Sequence, residues 1–265
     1  MHPAGGVKEQ TASIYASKLS QHGFVTLAYD ASHQGSSGGL PHFLEDPSAR
    51  ISDVSSVLDY LARQPYIDPA RIAVLGICGG AGYAAAATLR DHRIRALATV
   101  SMVNNGASTR TGWYGTDEPS AMLEALEKAA PQLAAGTEEA VYQPYFPDPV
   151  TNSTPYDLVQ ANEYYLTPRG QYPTSRNVMV PESLPLILGF DAFLGADAYL
   201  TQPTLLIVGA EAGSLWHTER LDGMIGGATR LVVVPGATHM DFYDRLEYVD
   251  PAVEEAVGFF REYMA

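Results

Sequence analysis

The only cysteine of the chain, Cys78, stands in Gly76-Ile77-Cys78-Gly79-Gly80. A thiol at this kind of junction reads as a nucleophile elbow, G-x-S-x-G, with sulfur in place of oxygen. The preceding run Arg71-Ile72-Ala73-Val74-Leu75 has the length and branching of a buried parallel strand. The following Gly79-Gly80-Ala81-Gly82-Tyr83, and then Ala84 to Ala87, favour a helix. The residue between them takes a strained backbone, and small neighbours let strand and helix approach. At a helix N-terminus the macrodipole and free N–H groups favour the reactive thiolate. The Gly79 N–H would also face a developing oxyanion. The bland alternative is a small buried core cysteine.

A nucleophile of this kind needs a base. Leu231-Val232-Val233-Val234 is a strand by pattern, and Pro235-Gly236-Ala237-Thr238-His239 follows it. A histidine on a loop beyond a late strand is placed for general-base work. The chain has seven histidines, so the weight of His239 comes from its coincidence with the elbow. A third element, His2-Pro3-Ala4-Gly5-Gly6, has the small residues that let backbone N–H groups face a carbonyl oxygen. Alone it would be an ordinary Gly-rich turn.

These pieces resemble the α/β-hydrolase superfamily, together with GFVTLAYDASHQGSSGG (23–39), EDPSARISDV (45–54) and PGATHMDFYD (235–244). More narrowly, the chain is similar to dienelactone-hydrolase-like and X-Pro dipeptidyl-peptidase (S15)-like bacterial hydrolases, which have polyketide thiohydrolase relatives. The resemblance implies an α/β-hydrolase fold, with Cys78 as nucleophile, His239 as base, and the backbone N–H groups of Ala4 and Gly79 as oxyanion hole. It implies no metal and no cofactor. Such enzymes usually carry Asp where this chain has Gly213. Glu211 is then the expected acid, reaching from two residues earlier. Asp241 is the other candidate, read first as a cap of the following turn. The resemblance also implies two or three strands before His2-Pro3-Ala4-Gly5-Gly6, so N-terminal strands are expected to be missing. Two apolar strands, at 24–29 and 72–75, would then meet directly or keep open edges. The loop 2–6 would be untethered on one side.

The elements that must position these residues alternate. Residues 8–22 read as a helix with Ile14, Tyr15 and Leu19 inward and Gly23 as stop. Asp46-Pro47 opens a second helix marked by Ile51, Val54, Leu58 and Leu61. Strands follow at 94–101, 204–208 and 231–234. Asp250-Pro251 reads as the start of a last helix. This order implies a mostly parallel sheet with helices on both faces, built from residues 1–103 and 203–265. Residues 104–202 break the pattern with one helix at 120–133, many prolines and a series of aromatics. They read as an inserted cap over the site, with an extra packing layer or a dimer surface as the alternative role. Exposed tyrosines and Trp113 would line an apolar pocket there.

The length of 265 residues with 46% hydrophobic content suffices for one large core and a lid. A net charge of −14 argues against nucleic acid and anionic membrane as partners. One cysteine suits a reducing cytoplasm. The expected activity is therefore hydrolysis of a carboxylic ester, lactone or thioester on a small-molecule acyl substrate, apolar or aromatic. Thioesterase or acyltransferase chemistry on polyketide-like substrates is the nearest alternative. A non-catalytic homologue is the other, with the ionisation of Cys78 as discriminator.

Overall fold

The computed structural model of the chain describes residues 1–135 and 142–264. In chain order the elements are α1 (Thr11–Gln21), α2 (Pro47–Ala62), β1 (Ile72–Ile77), α3 (Gly79–Thr88), β2 (Ile94–Val100), α4 (Asn105–Thr111), α5 (Pro119–Ala135), β3 (Gln143–Pro144), α6 (Tyr156–Leu166), β4 (Val178–Met179), α7 (Ser183–Leu188), α8 (Ala196–Tyr199), β5 (Thr204–Gly209), α9 (Leu215–Asp222), β6 (Thr229–Val234), α10 (Asp241–Asp244) and α11 (Leu246–Tyr263).

The central sheet has four strands in the order β1-β2-β5-β6, every neighbouring pair parallel. Both faces are covered, as continuous apolar strands require. Leu205 and Ile207 of β5 join one core with Tyr15 and Leu19 of α1 and Val253 and Val257 of α11. Leu206 points the other way, into a core with Val54 and Leu58 of α2, Ala84 of α3 and Leu221 of α9. The two-residue period of a strand thus divides the hydrophobic residues between two helix layers.

Local signals set several boundaries. The Asp46 side chain caps α2 by accepting from the Ser48 N–H at 2.8 Å, and Pro47 takes the first helical position. The last helix departs from expectation. It begins at Leu246, so Pro251 lies inside it and not at its start. Asp250 is no cap there; its carboxylate pairs with Lys18 of α1.

Residues 24–29, expected as a strand, are extended but pair with no strand among the described residues. A groove of about 630 Å³ separates them from β1. Val25 remains 61% exposed and Leu27 37%. An extended segment becomes a strand only with a hydrogen-bonded neighbour, and here the edges stay open instead of meeting. The outer edge of β1 is met only at one end. The Met1 amino group donates to the Leu75 carbonyl, and the Met1 carbonyl accepts from the Ile77 N–H at 3.2 Å.

Between β2 and β5 the chain builds α4 to α8 and the short antiparallel pair β3–β4. The helix expected at 120–133 is α5. Of the segment expected as a cap, residues 136–141 lie outside the described residues. No helix among the described residues is long and apolar enough to cross a membrane.

Candidate active site

Cys78 joins β1 to α3 with φ 53° and ψ −128°, a left-handed φ that a non-glycine residue holds only where the surroundings dictate it. The surroundings here are tight. A Cβ on Gly80 would come within 2.3 Å of the His2 carbonyl oxygen, and one on Gly76 within 2.5 Å of the Ala81 Cα. The Cys78 N–H donates to the Val100 carbonyl, and its own carbonyl accepts from the Val103 N–H, each at 3.0 Å. The elbow is thereby clamped to β2 and to the chain leaving it.

The thiol is 4% exposed. Burial pushes its pKa up to about 11, against the opposing pull of the Tyr243 hydroxyl and the Gly79 N–H. The expected thiolate is therefore not the resting form. The helix N-terminus does not outweigh removal from water.

His239 follows β6, is buried, and meets Trp113 edge-on with ring centroids 4.9 Å apart. Its Nδ1 lies 2.7 Å from the Ser214 Oγ, and its Nε2 lies 3.4 Å from the Tyr243 Oη. Burial lowers its pKa to about 4, although the charge of Asp157 opposes the shift. At neutral pH, thiol and imidazole are both uncharged.

The carboxylate facing His239 is not the one expected. Glu211 is exposed; its backbone N–H bonds the Ala237 carbonyl, and no hydrogen bond joins its side chain to His239. Asp241 accepts from the Thr238 N–H at 2.7 Å and pairs with Arg245, which is the turn-capping role. Asp157, on the first turn of α6, fills the place. Its Oδ1 accepts from the His239 N–H at 3.1 Å, and its Oδ2 accepts from the Gly213 N–H at 2.7 Å and the Trp113 Nε1–H at 2.9 Å. The absent carboxylate at Gly213 is thus supplied through space. The same packing excludes a side chain at Gly213, where a Cβ would come within 2.6 Å of both Trp113 and Tyr114. Asp157 lies outside every motif. The only sequence signal for it is the missing acid itself, which demands a buried carboxylate from elsewhere. Cys78, Asp157 and His239 follow one another in that order along the chain.

Contrary to expectation, the loop at 2–6 is tethered. Arg50 is 1% exposed; its Nη2 donates to the His2 carbonyl at 2.9 Å, and its Nη1 lies 3.1 Å from the His2 Nε2. His2 Nε2 also accepts from the Ala31 N–H at 3.1 Å, and His2 Nδ1 lies 2.7 Å from the Pro3 carbonyl. The network fits one tautomer, with the proton on Nδ1. Burial, with the Arg50 charge beside it, holds the His2 pKa well below the usual histidine range. Glu45, fully buried, pairs with Arg50 at 3.5 Å. This arrangement brings Ala4 against Gly79: a Cβ on Gly79 would sit 2.9 Å from that of Ala4.

Cys78 and Ala4 line a cavity of about 370 Å³. Its other walls come from the segment between β2 and β5, including Trp113, Tyr145, Phe146, Leu158 and Leu184. Asn105, Arg110, Asp117 and Glu118 add polar groups. Tyr164 and Tyr165, by contrast, are packed into the core beside Tyr243.

An elbow cysteine, a histidine beyond the last sheet strand and a parallel sheet wrapped by helices define an α/β-hydrolase. The family model described as "Alpha/beta hydrolase family" matches residues 5–250, and the chain belongs to that family. Among individual proteins, it is 44% identical over 264 residues to protein YcjY of Escherichia coli K12, covering 98% of this chain and 86% of that one. The crystal structure of protein PA2218 from Pseudomonas aeruginosa superposes with a TM-score of 0.89 at 31% identity, over 98% of this chain and 82% of that one. The polyketide transferase claH of Penicillium crustosum is 27% identical over 245 residues, covering 89% of this chain and 78% of that protein.

Proposed function

We propose that the chain hydrolyses ester, lactone or thioester bonds of small acyl substrates, with Cys78 as nucleophile and His239 as base. The observation that carries this is Cys78 at a positive φ on the wall of a 370 Å³ cavity, with His239 and its hydrogen-bonding partners buried in the same core. Hydrolytic activity is the general chemistry of the family.

Because the thiol rests protonated, it loses its proton during attack and not before it, as a serine does. Sulfur forms a bond to the carbonyl carbon, and the developing oxyanion meets the N–H groups of Gly79 and Ala4. Collapse expels the leaving group, protonated by the imidazolium, and leaves a thioester acyl-enzyme. Water, deprotonated by His239, releases the acid. Asp157 holds the His239 backbone and favours the imidazolium by charge; Ser214 fixes the ring by accepting from Nδ1–H. The segment 104–202 serves as the cap. Its aromatic wall fits an apolar or aromatic acyl group.

A thioester intermediate can also pass its acyl group to an alcohol or amine, and the name of claH as a polyketide transferase supports acyl transfer as a variant of the same chemistry. A second reading, a non-catalytic homologue, is favoured by one observation: the burial of the thiol, which disfavours the thiolate.

A panel of para-nitrophenyl acyl esters decides between them. Wild-type protein is expected to turn over, Cys78→Ala to fall to background, and His239→Ala to lose roughly 10²–10⁴-fold in kcat. No turnover by folded wild-type protein across the panel, with no acyl transfer to added alcohols, selects the non-catalytic reading.

A further inference from the structure

A side-chain amide stands beside the elbow. Asn105 is the first residue of α4 and lines the same cavity as Cys78 and Ala4. A Cβ on Gly79 would sit 2.7 Å from its Oδ1, 2.8 Å from its Nδ2 and 2.9 Å from the Ala4 Cβ. Asn105 is thus packed against Gly79, where Ala4 also arrives, the two residues assigned to the oxyanion hole. Its Nδ2 donates to the Tyr83 hydroxyl at 2.8 Å. An amide nitrogen carries two hydrogens, and among the described residues no second acceptor meets this one.

The amide is held from both sides. Tyr83 is fully buried, its ring 5.5 Å from that of Phe190 and its centroid 5.0 Å from the Arg50 guanidinium. The neighbouring Asn104, also fully buried, caps α4 by accepting from the Ala107 N–H at 3.3 Å, and its Nδ2 donates to Asp191 at 2.6 Å. α4 is pressed close to the chain before Asp191: a Cβ on Gly106 would come within 1.8 Å of the Phe190 carbonyl oxygen. A neutral donor fixed in this way needs no reorganisation when charge develops in front of it.

We propose that Asn105 is a further catalytic residue, donating its second amide N–H to the substrate carbonyl oxygen as that oxygen becomes the oxyanion. The proposal rests on Cys78 as the nucleophile. As sulfur attacks, the C–S bond forms, the carbonyl π pair moves to oxygen, and the thiol proton passes to His239. The Asn105 N–H bond stays intact; it contributes a hydrogen bond and transfers no proton. On collapse the π pair re-forms the carbonyl, and the bond to the leaving group breaks. The leaving group takes the proton from the imidazolium, and Asn105 keeps its bond to Tyr83. No other reactant is required.

The test compares two reactions of the same thiol in wild type and Asn105→Ala. Attack on a para-nitrophenyl ester builds an oxyanion, whereas alkylation by iodoacetamide, a displacement at a saturated carbon, builds none. Asn105→Ala is expected to lower kcat by about 10²–10³-fold with little change in KM, and to leave the alkylation rate unchanged. An unchanged kcat, a loss carried by KM alone, or alkylation that falls in step with kcat overturns the donor role. If Asn105→Ala does not fold, Asn105→Asp keeps the shape, sets a carboxylate before the oxyanion and is expected to lose at least as much kcat; turnover equal to wild type overturns the proposal. A second readout needs no turnover. A trifluoromethyl ketone adds reversibly to a thiol and places an oxyanion on the former carbonyl oxygen, and fluorine NMR reads the adduct. Asn105→Ala is expected to weaken it by about 10-fold or more, and equal affinity overturns the proposal. Turnover that requires Cys78 but is untouched in Asn105→Ala leaves the hydrolase reading standing without the third donor. An adduct weakened in Asn105→Ala, with no ester turnover in wild type, leaves the donor standing without the hydrolase. Neither adduct nor turnover in folded wild-type protein overturns both.

Discussion

Asp157→Ala is expected to lower kcat/KM by about 10²–10⁴-fold and to cost on the order of 3 kcal/mol of stability. Three donors converge on this carboxylate: the backbone N–H groups of His239 and Gly213 and the indole of Trp113. Alanine leaves all three without their acceptor, at about 1–3 kcal/mol for a buried donor and less where water reaches it. The catalytic loss has a separate origin. The charge of Asp157 is the influence that raises the His239 pKa against burial. Its removal weakens the base and frees the loop that carries it. Asp157→Asn separates the effects: it keeps one acceptor oxygen and most of the packing but loses the charge. Its unfolding free energy from urea titration is expected within about 1–2 kcal/mol of wild type, with kcat still reduced more than 10-fold. Equal activity in Asp157→Asn and wild type would remove the carboxylate from the mechanism.

The protein is expected to lose stability steeply as pH falls from about 6.5 towards 4, before most carboxylates titrate. Three buried histidines rest neutral. His2 is held well below the usual range, His217 is lowered to about 3, and His239 to about 4, in each case first by burial. His217 has no hydrogen-bond partner on either ring nitrogen among the described residues. In the unfolded chain each would take a proton near pH 6.5. Between that value and the folded pKa values the unfolded state binds more protons, so stability rises with pH and is lost on acidification. Three such groups give at most about 4 kcal/mol per pH unit. Urea unfolding at pH 7.5, 6.0 and 5.0 measures the slope. His217→Leu is expected to reduce it by about a third, because one of three groups is removed. A flat profile down to pH 5 would contradict neutral burial of these rings.

What could be read from the sequence is what short-range pattern encodes. Cys78 sits inside a pentapeptide whose small residues have no other efficient use, and the β1–α3 junction lies where that pattern puts it. The spacing in α2 likewise turns Val54 and Leu58 to the core. Residues 24–29 misled because apolar alternation records a preference, while a strand also needs a neighbour on its edge. Pro251 misled because Asp-Pro marks helix starts statistically, whereas α11 was already extended by packing against the sheet.

The site itself was half legible. His239 follows its strand as a motif should. The carboxylate beside it could not be found by proximity, because Asp157 comes from α6, far from β5 in sequence, and is delivered by the fold of the intervening segment. Arg50 was hidden for a similar reason. On α2 it looks like a surface charge, but it turns inward to hold His2 and Glu45. Tyr243 follows His239 by four residues, one helical turn, yet only the structure places its hydroxyl 3.4 Å from the imidazole.

The central claim is a covalent one, so the most direct measurement is mass spectrometry of the protein quenched in acid during turnover of a para-nitrophenyl ester. The account predicts an added acyl mass on the peptide that carries Cys78, cleaved by hydroxylamine as a thioester and absent from Cys78→Ala. An acyl group on another residue, or undiminished ester hydrolysis by folded Cys78→Ala, would contradict it.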